Sequence, residues 1–465
     1  MSSSAAILAA VVAVSSASSA APRSAPPIAR ERLPAELAHL TDEEVARIAR
    51  MSPLPAVPAD PTNRFADSVP AAELGHALFF EARLSPKGVS CATCHEPARF
   101  FTDGKPLSIG VGTARRNAPT VVDAARRRWN GWDGKFDSLW SQALSPIENP
   151  LEMGGDRVSM LRLVRDDPSL RAAFERAFGA FPAGLARGGR DPLDAATARD
   201  DAERRLVDST TVLVLKALGA YQRRLVSGAA PIDAFIKALE SDGAGGSGAV
   251  DSAVNSGGNP KASIDASADA NIDALDPAAR RGLAIFVSRG GCYQCHRGPS
   301  FTDEEFHALG LAGANGRVPD DPARLAAIDF LQANPFNAAG EFSDARAAAG
   351  GGGKAAMVHG LRRSGELFGQ FRTPALRGVA LTPPYMHDGR FAALEDVVRF
   401  YDTLEGASPV GHHGEMVLEP LGLGESGRAD LVAFLRALTP KLDDLGKWTN
   451  PSVPPARTAP VPTGR

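Results

Sequence analysis

Four cysteines and the histidine after each pair are the residues best placed to do chemistry in this 465-residue chain. They read Cys91-Ala-Thr-Cys94-His95 and Cys292-Tyr-Gln-Cys295-His296. Thiols three residues apart on a short helix share one face, so both can add to the two vinyl groups of a single haem. The histidine one place further on can bring an imidazole nitrogen under the iron, and C-x-x-C-H is the attachment signature of a c-type haem. A disulfide or a redox C-x-x-C leaves a histidine after both pairs unexplained. One zinc site built from both pairs would have to close a loop of about 200 residues, far from the usual spacing. The reading is two covalently attached c-type haems. The sixth position then decides the work of each iron, because two strong ligands make a carrier and an open position makes a catalyst. The remaining histidines are His39, His76, His307, His359, His387, His412 and His413, and the second half adds Met357, Met386 and Met416. Spacing alone does not choose among them.

The elements that must position these motifs can be read from composition and periodicity. The chain is 44% hydrophobic and 23% charged with a formal net charge of -3, ordinary for a globular protein and unlike the basic face that nucleic acid demands. Ala5 to Val14 is apolar and is followed by small residues and prolines, the pattern of a secretory signal peptide over 1–20, although no Lys or Arg precedes it. Haem c is attached outside the cytoplasm in bacteria, so the expected location is the periplasm. No later stretch is apolar enough to span a bilayer, so no transmembrane segment is expected in the mature protein. Residues 23–66 form a Pro/Ala-rich extension with no legible chemistry. An N-terminal haem domain is expected over 67–238, with helices over Ala71–Ala82 and Ala202–Val226. A Gly/Ser/Ala/Asp stretch over 241–273 cannot bury a core and reads as a linker or insertion. A C-terminal haem domain spans 277–441, and 442–465 is a Pro-rich tail. The fold class is mainly α, with two cytochrome c-like helical domains that each carry one haem.

The chain resembles the bacterial di-haem cytochrome c peroxidase superfamily, and within it the MauG-like branch. The resemblance rests on LGHALFFEARLSPKGVSCATCH, RRNAPTVVDAA, WDGKFDSLWSQALSPIENPLEMG and FRTPALRGVALTPPYMHDGRFAALEDVVRFYD, in that order around the two motifs. It implies reduction of hydrogen peroxide at the haem held by His95, with Glu152 as the proton-relaying carboxylate and Gln142 and Pro146 in the distal pocket. The loop after the first motif, FTDGKPLSIGVGTARRN, contains no histidine, which implies an open iron. On the second haem the resemblance implies ligation by His296 and by Tyr401, fourteen residues after His387, with Met386 as the alternative. Trp132 would carry charge between the haems. Asn117, with the carbonyls of Thr382 and Pro384, would hold a calcium ion, since oxygen ligands suit a hard cation. Electrons would come from a small periplasmic cytochrome c or cupredoxin, or from a protein substrate. Two other readings stand beside peroxidase: an enzyme that oxidises tryptophans of a partner into a quinone cofactor, and a non-catalytic di-haem electron carrier.

Overall fold

Two glycines allow two pairs of helices to approach at backbone distance. A side-chain carbon on Gly75 would lie 2.0 Å from the carbonyl of Ala217, and one on Gly282 would lie 2.0 Å from that of Asp430. Only hydrogen fits there. The structure, a computed structural model, describes residues 26–186, 191–194, 199–240, 270–313, 319–345, 353–408, 418–441 and 443–449. The leader expected over 1–20, residues 241–269 of the expected linker, residues 451–465 of the tail, and His412, His413 and Met416 lie outside the described residues.

The chain is mainly helical. In order run α1 (Asp42–Ala49), α2 (Val69–Phe79), α3 (Cys91–Cys94), α4 (Leu139–Glu148), α5 (Arg157–Asp166), α6 (Pro168–Phe178) and α7 (Asp201–Gln222). They continue as α8 (Pro231–Leu239), α9 (Pro277–Val287), α10 (Arg324–Ala333), α11 (Lys354–Gly360), α12 (Leu394–Thr403) and α13 (Gly424–Arg436). A short antiparallel pair, β1 (Phe306–His307) and β2 (Phe371–Arg372), sets Phe306 opposite Arg372 and His307 opposite Phe371. The helices start where side chains satisfy the free amides: Ser68 accepts from Ala71 N at α2, and Asp200 forms a capping box with Glu203 at α7. Both α2 and α7 end a few residues before the boundaries expected from periodicity. Phe80 leaves the helical region, and Arg223 and Arg224 turn away to bond Asp67.

Apolar side chains gather in two main clusters. One holds Leu74, Leu78 and Phe79 of α2 against Leu215, Leu218 and Tyr221 of α7. The other holds Leu283 and Phe286 of α9 against Leu431 and Phe434 of α13. Packing does not follow chain order. Leu37, Leu40, Val45, Ile48 and Met51 of the extension, and Ile232, Phe235 and Ile236 of α8, pack in the second cluster. A buried ion pair fastens them: Arg377 meets both oxygens of Asp233 at 2.7 and 2.8 Å, and Ser52 Oγ donates to the same carboxylate at 2.7 Å. At the other end, Leu445 in the turns of Asp443–Thr449 returns to the first cluster, with Trp448 packed against it. The stretch expected as a featureless tail therefore begins as a folded segment.

Gly282→Ala should cost ~1–3 kcal/mol, the usual penalty for overpacking, because helix backbone rather than a flexible tip must move. A thermal melt of the variant matching that of the parent would refute the close approach.

Candidate functional site

In each haem motif a backbone carbonyl holds the histidine by its Nδ1. His95 follows α3, and its backbone N–H closes the turn onto Cys91 O at 3.0 Å. His296 does the same onto Cys292 O at 2.8 Å. His95 Nδ1 lies 3.1 Å from Phe101 O and His296 Nδ1 lies 2.9 Å from Phe301 O. A carbonyl can only accept, so Nδ1 carries the hydrogen in both rings and Nε2 keeps its lone pair. Phe101 and Phe301 sit in the left-handed region, at φ 58° and 52°, which turns each carbonyl back onto its histidine. Burial lowers the pKa of both imidazoles, which favours the neutral form that a metal needs.

The four cysteines are free thiols. Burial pushes Cys91 and Cys292 up to about 12 and Cys94 up to about 11. A redox C-x-x-C shows the opposite, a depressed thiol. Nor do the pairs converge on one ion. Among the described residues, the group of possible metal ligands gathered within 4.8 Å is Cys295, Asp303 and His307, which includes one haem-motif cysteine.

The two halves repeat each other beyond the motifs. Bridges join Asn130 to Phe136 and Tyr385 to Phe391, and the loops turn on Gly131 and Gly134 in one half and on Met386 and Gly389 in the other, all at positive φ. Trp132 and His387 occupy the same place in this repeat. Fourteen residues after each come Pro146 on α4 and Tyr401 on α12. The halves also exchange hydrogen bonds reciprocally: Asn117 N donates to His387 O at 2.8 Å, and Arg372 N donates to Trp132 O at 2.8 Å.

A cavity of about 740 Å³ opens where the halves meet. Its wall includes Cys292, Cys295, His296 and Tyr401 of the second half and Trp132 and Asn117 of the first. Thr382, Pro384, Met386 and His387 line it as well. Burial raises the Tyr401 phenol, and the nearby Cys292 and Cys295 sulfurs raise it further. Trp132 Nε1 donates to Asn117 O at 2.9 Å. The Asn117 amide donates to Lys105 O at 2.8 Å. His387 stacks on Phe371 at 3.7 Å, and burial holds it down at about 4. His39 and His359 are exposed, as is Met357, so the structure brings none of these three to the cavity.

Around the first motif, α4 carries Gln142 and Pro146 one turn apart on one face, and Glu152 follows in the loop. Val111 N donates to Glu152 O at 2.8 Å, Gly112 N donates to Leu151 O at 2.9 Å, and Asn149 Nδ2 donates to Glu152 Oε1 at 2.6 Å. Gly110 packs so closely that a side-chain carbon there would lie 2.2 Å from Glu152 O. The histidine-free loop thus pins the backbone that carries Glu152, while Asn149 holds its carboxylate. Burial raises the Glu152 pKa, against the pull of Lys135 and Asn149. Its charge is close enough to raise both Cys91 and Cys94.

Sequence reasoning missed several groups here. Arg126, Arg127 and Arg372 line the cavity, and Arg126 Nη2 and Arg372 Nε are buried without a hydrogen-bond partner. Burial also drags Arg127 down to about 10. His307 Nε2 pairs with Asp303 Oδ2 at 3.0 Å beside Cys295, and these contacts hold its pKa up at about 9. The only hint of the arginines in the sequence is the run Arg126-Arg127-Arg128 ahead of Trp129. Buried guanidinium nitrogens without an acceptor, on the wall of a cavity that already holds C-x-x-C-H, fit a group with apolar faces and anionic substituents. A haem with its two carboxylates is such a group.

A helical chain with two C-x-x-C-H sites, each histidine held by a backbone carbonyl, and a cavity beside the second site where the halves meet has the parts that a two-haem c-type cytochrome requires. The model for the di-haem cytochrome c peroxidase family matches residues 70–241. A cytochrome-c peroxidase of Denitromonas iodatirespirans is 32% identical over 401 residues, covering 85% of this chain and 87% of the relative. Methylamine utilization protein MauG of Methylorubrum extorquens is 30% identical over 370 residues, covering 78% and 77%. Among solved structures, the diheme peroxidase BthA from Burkholderia thailandensis has a TM-score of 0.55 at 23% identity, covering 83% and 89%, and bears on the fold alone. The chain belongs to the di-haem cytochrome c peroxidase/MauG-like superfamily and is a peroxidase-like oxidoreductase. Among the described residues, no helix is long and apolar enough to cross a membrane.

Proposed function

We propose that this protein reduces hydrogen peroxide in the periplasm, at the first haem site, and draws electrons through the second. The observation that carries the reading is the difference between the halves at one repeated position. Tyr401 offers an oxygen on the wall it shares with His296, whereas the matching residue in the first half is Pro146. A pyrrolidine ring has no ligand atom, so the first site keeps a place for peroxide. Bound haem supplies the redox chemistry, taking two electrons' worth of oxidation from each peroxide.

The chain's own residues do the rest. His95 and His296 each present Nε2, fixed by the carbonyl behind the ring. Glu152 takes a proton from the near oxygen of peroxide and returns it to the leaving oxygen, a role that suits a carboxyl raised toward neutrality. Gln142 and Pro146 shape the pocket beside it. Trp132, anchored by Asn117 O and Arg372 N, passes charge between the sites. The Tyr401 phenolate is the second protein ligand of the second site, favouring oxidised iron. The two haem domains take their motifs from 67–238 and 277–441, with α8 of the first stretch packed into the second cluster, and a calcium ion between them would sit on Asn117 and the carbonyls of Thr382 and Pro384. Asn117 fits that role, because its Nδ2 is engaged by Lys105 O and its Oδ1 accepts no hydrogen bond among the described residues.

Low-temperature EPR of the oxidised protein tests the reading. One high-spin and one low-spin ferric signal, both lost on adding peroxide, are expected. Two low-spin signals indifferent to peroxide would mean an electron carrier instead.

Glu152→Gln should lower peroxide turnover about 10²-fold or more with haem content unchanged, the scale of losing a general acid–base group. As pH falls through its raised pKa, Glu152 takes up a proton and stops acting as a base. The acid limb of the parent's rate profile should therefore lie above the ordinary carboxyl value of 4.5, and the variant should lack that limb. Near-parental turnover in the variant would remove Glu152 from the mechanism.

Tyr401→Phe should change the optical and EPR spectrum of one haem only. An unaltered spectrum would rule Tyr401 out as a ligand and leave Met386 as the candidate.

A further inference from the structure

The two halves differ on the proximal side of their histidines as sharply as on the distal side. In the second half, Phe286 on α9 meets Phe434 on α13 at 5.1 Å between ring centroids and 59° between planes. In the first half, Phe79 on α2 meets the residue on α7 at the same 5.1 Å and 59°, but that residue is Tyr221. The match is structural: the side chains of Tyr221 and Phe434 lie against Gly75 and Gly282 in the same way. Phenylalanine is hard to oxidise, and tyrosine and tryptophan are not. At this repeated position the oxidisable ring stands in the half proposed to meet peroxide.

It does not stand alone. Tyr221 is fully buried, and its hydroxyl donates to Trp448 O at 2.8 Å. The Trp448 indole lies 6.1 Å from the Tyr221 ring and is half-buried, at the edge of the first cluster. His76 touches both, at 5.1 Å from Tyr221 and 5.8 Å from Trp448. Inward, Phe79 separates Tyr221 from the His95 ring, 6.3 Å further on. Ring follows ring from the first haem's histidine to the surface. A hydroxyl in an apolar core needs an acceptor, and here the folded turn of Asp443–Thr449 supplies it.

We propose that Tyr221 and Trp448 form a second electron route, which delivers an electron from the protein surface to the peroxide-oxidised first haem without passing Trp132 or the second haem. The inference rests on the first site being the one that peroxide oxidises. Peroxide is the oxidant. The oxidised first site gains one electron from Tyr221, whose proton stays in its hydrogen bond to Trp448 O. Tyr221 regains an electron from the Trp448 indole, which gives its N–H proton to water and becomes a neutral radical. An external one-electron donor then restores Trp448 along with a proton. Without a donor, the stranded radical combines with dioxygen, and Trp448 carries the record as added oxygen.

The test uses the full-length protein with both haems attached, treated with stoichiometric hydrogen peroxide in air and without an electron donor. EPR is read at once, and peptides are mapped by mass spectrometry afterwards. The expected result is a tryptophan radical signal and oxygen added at Trp448 in the parent. In Trp448→Phe both are lost and the peroxide-oxidised state lives several-fold longer. In Tyr221→Phe, which keeps the ring and removes the hydroxyl, oxygen addition at Trp448 falls several-fold. Turnover with an added donor through the second haem should be unchanged in Trp448→Phe. If the haem signals respond to peroxide but Trp448 stays unmodified and the variant decays like the parent, the route is refuted and the peroxidase reading stands. If the haem signals do not respond at all, both fall. The parent's peptide map needs no variant to fold.

Discussion

Two backbone hydrogen bonds hold the two halves in the relation on which the site depends. Asn117 N to His387 O and Arg372 N to Trp132 O are the same contact made twice, once in each direction. Fifteen residues separate the two members of each half, Asn117 from Trp132 and Arg372 from His387. Such an exchange is what a local two-fold axis requires, as in a symmetric dimer where residue i meets j and j meets i. Here both copies lie in one chain. Being made by backbone, the contact is indifferent to side-chain identity, so the residues on the axis are free to differ.

The two halves keep the C-x-x-C-H residues but differ at three positions around them. On one scaffold, Trp132 answers His387, Pro146 answers Tyr401, and Tyr221 answers Phe434. The packing positions are kept: Gly75 with Gly282, and Phe101 with Phe301, each turning its carbonyl onto a histidine. Helix contact and imidazole orientation are demands common to both haem sites. The positions of Trp132 and His387, Pro146 and Tyr401, and Tyr221 and Phe434 answer to no such common demand, and there the two halves have diverged.

How much of this could be read from the sequence follows from how local each constraint is. The haem motifs are legible because attachment needs two thiols and an imidazole within five consecutive residues. The helices α2, α7 and α9 are legible from apolar spacing, to within a few residues of their ends. Leu37, Ile48 and Met51 give no such sign, since nothing nearby says that an early, proline-rich stretch will cover a cluster closed by α9 and α13. Trp448 is hidden for the same reason, seated more than 200 residues along the chain from Tyr221. The arginines are illegible in another way. A run of three looks like a solvated surface, and only the fold shows two of them facing a cavity.

That cavity makes the cofactor part of the fold rather than an addition to it. A buried guanidinium nitrogen without an acceptor costs about 1–3 kcal/mol, and the wall carries one on Arg126 and one on Arg372. Arg127, next to them, is lowered to about 10 by burial and then by Arg372, so it keeps its charge at neutral pH but holds it at a cost. These three are among six arginines that line the cavity, with Asp123 and Glu304 as the carboxylates paired to Arg126 and Arg372. An anion that binds there gains from every one of these deficits at once, and it cannot drift away if two thioethers tether it. Covalent attachment of a haem at Cys292 and Cys295 would therefore secure the charge balance of the interface as well as the iron. Arg126 and Arg127 of the first half and Arg372 of the second line one cavity, so a haem held there would join the halves beside the backbone contact on the axis.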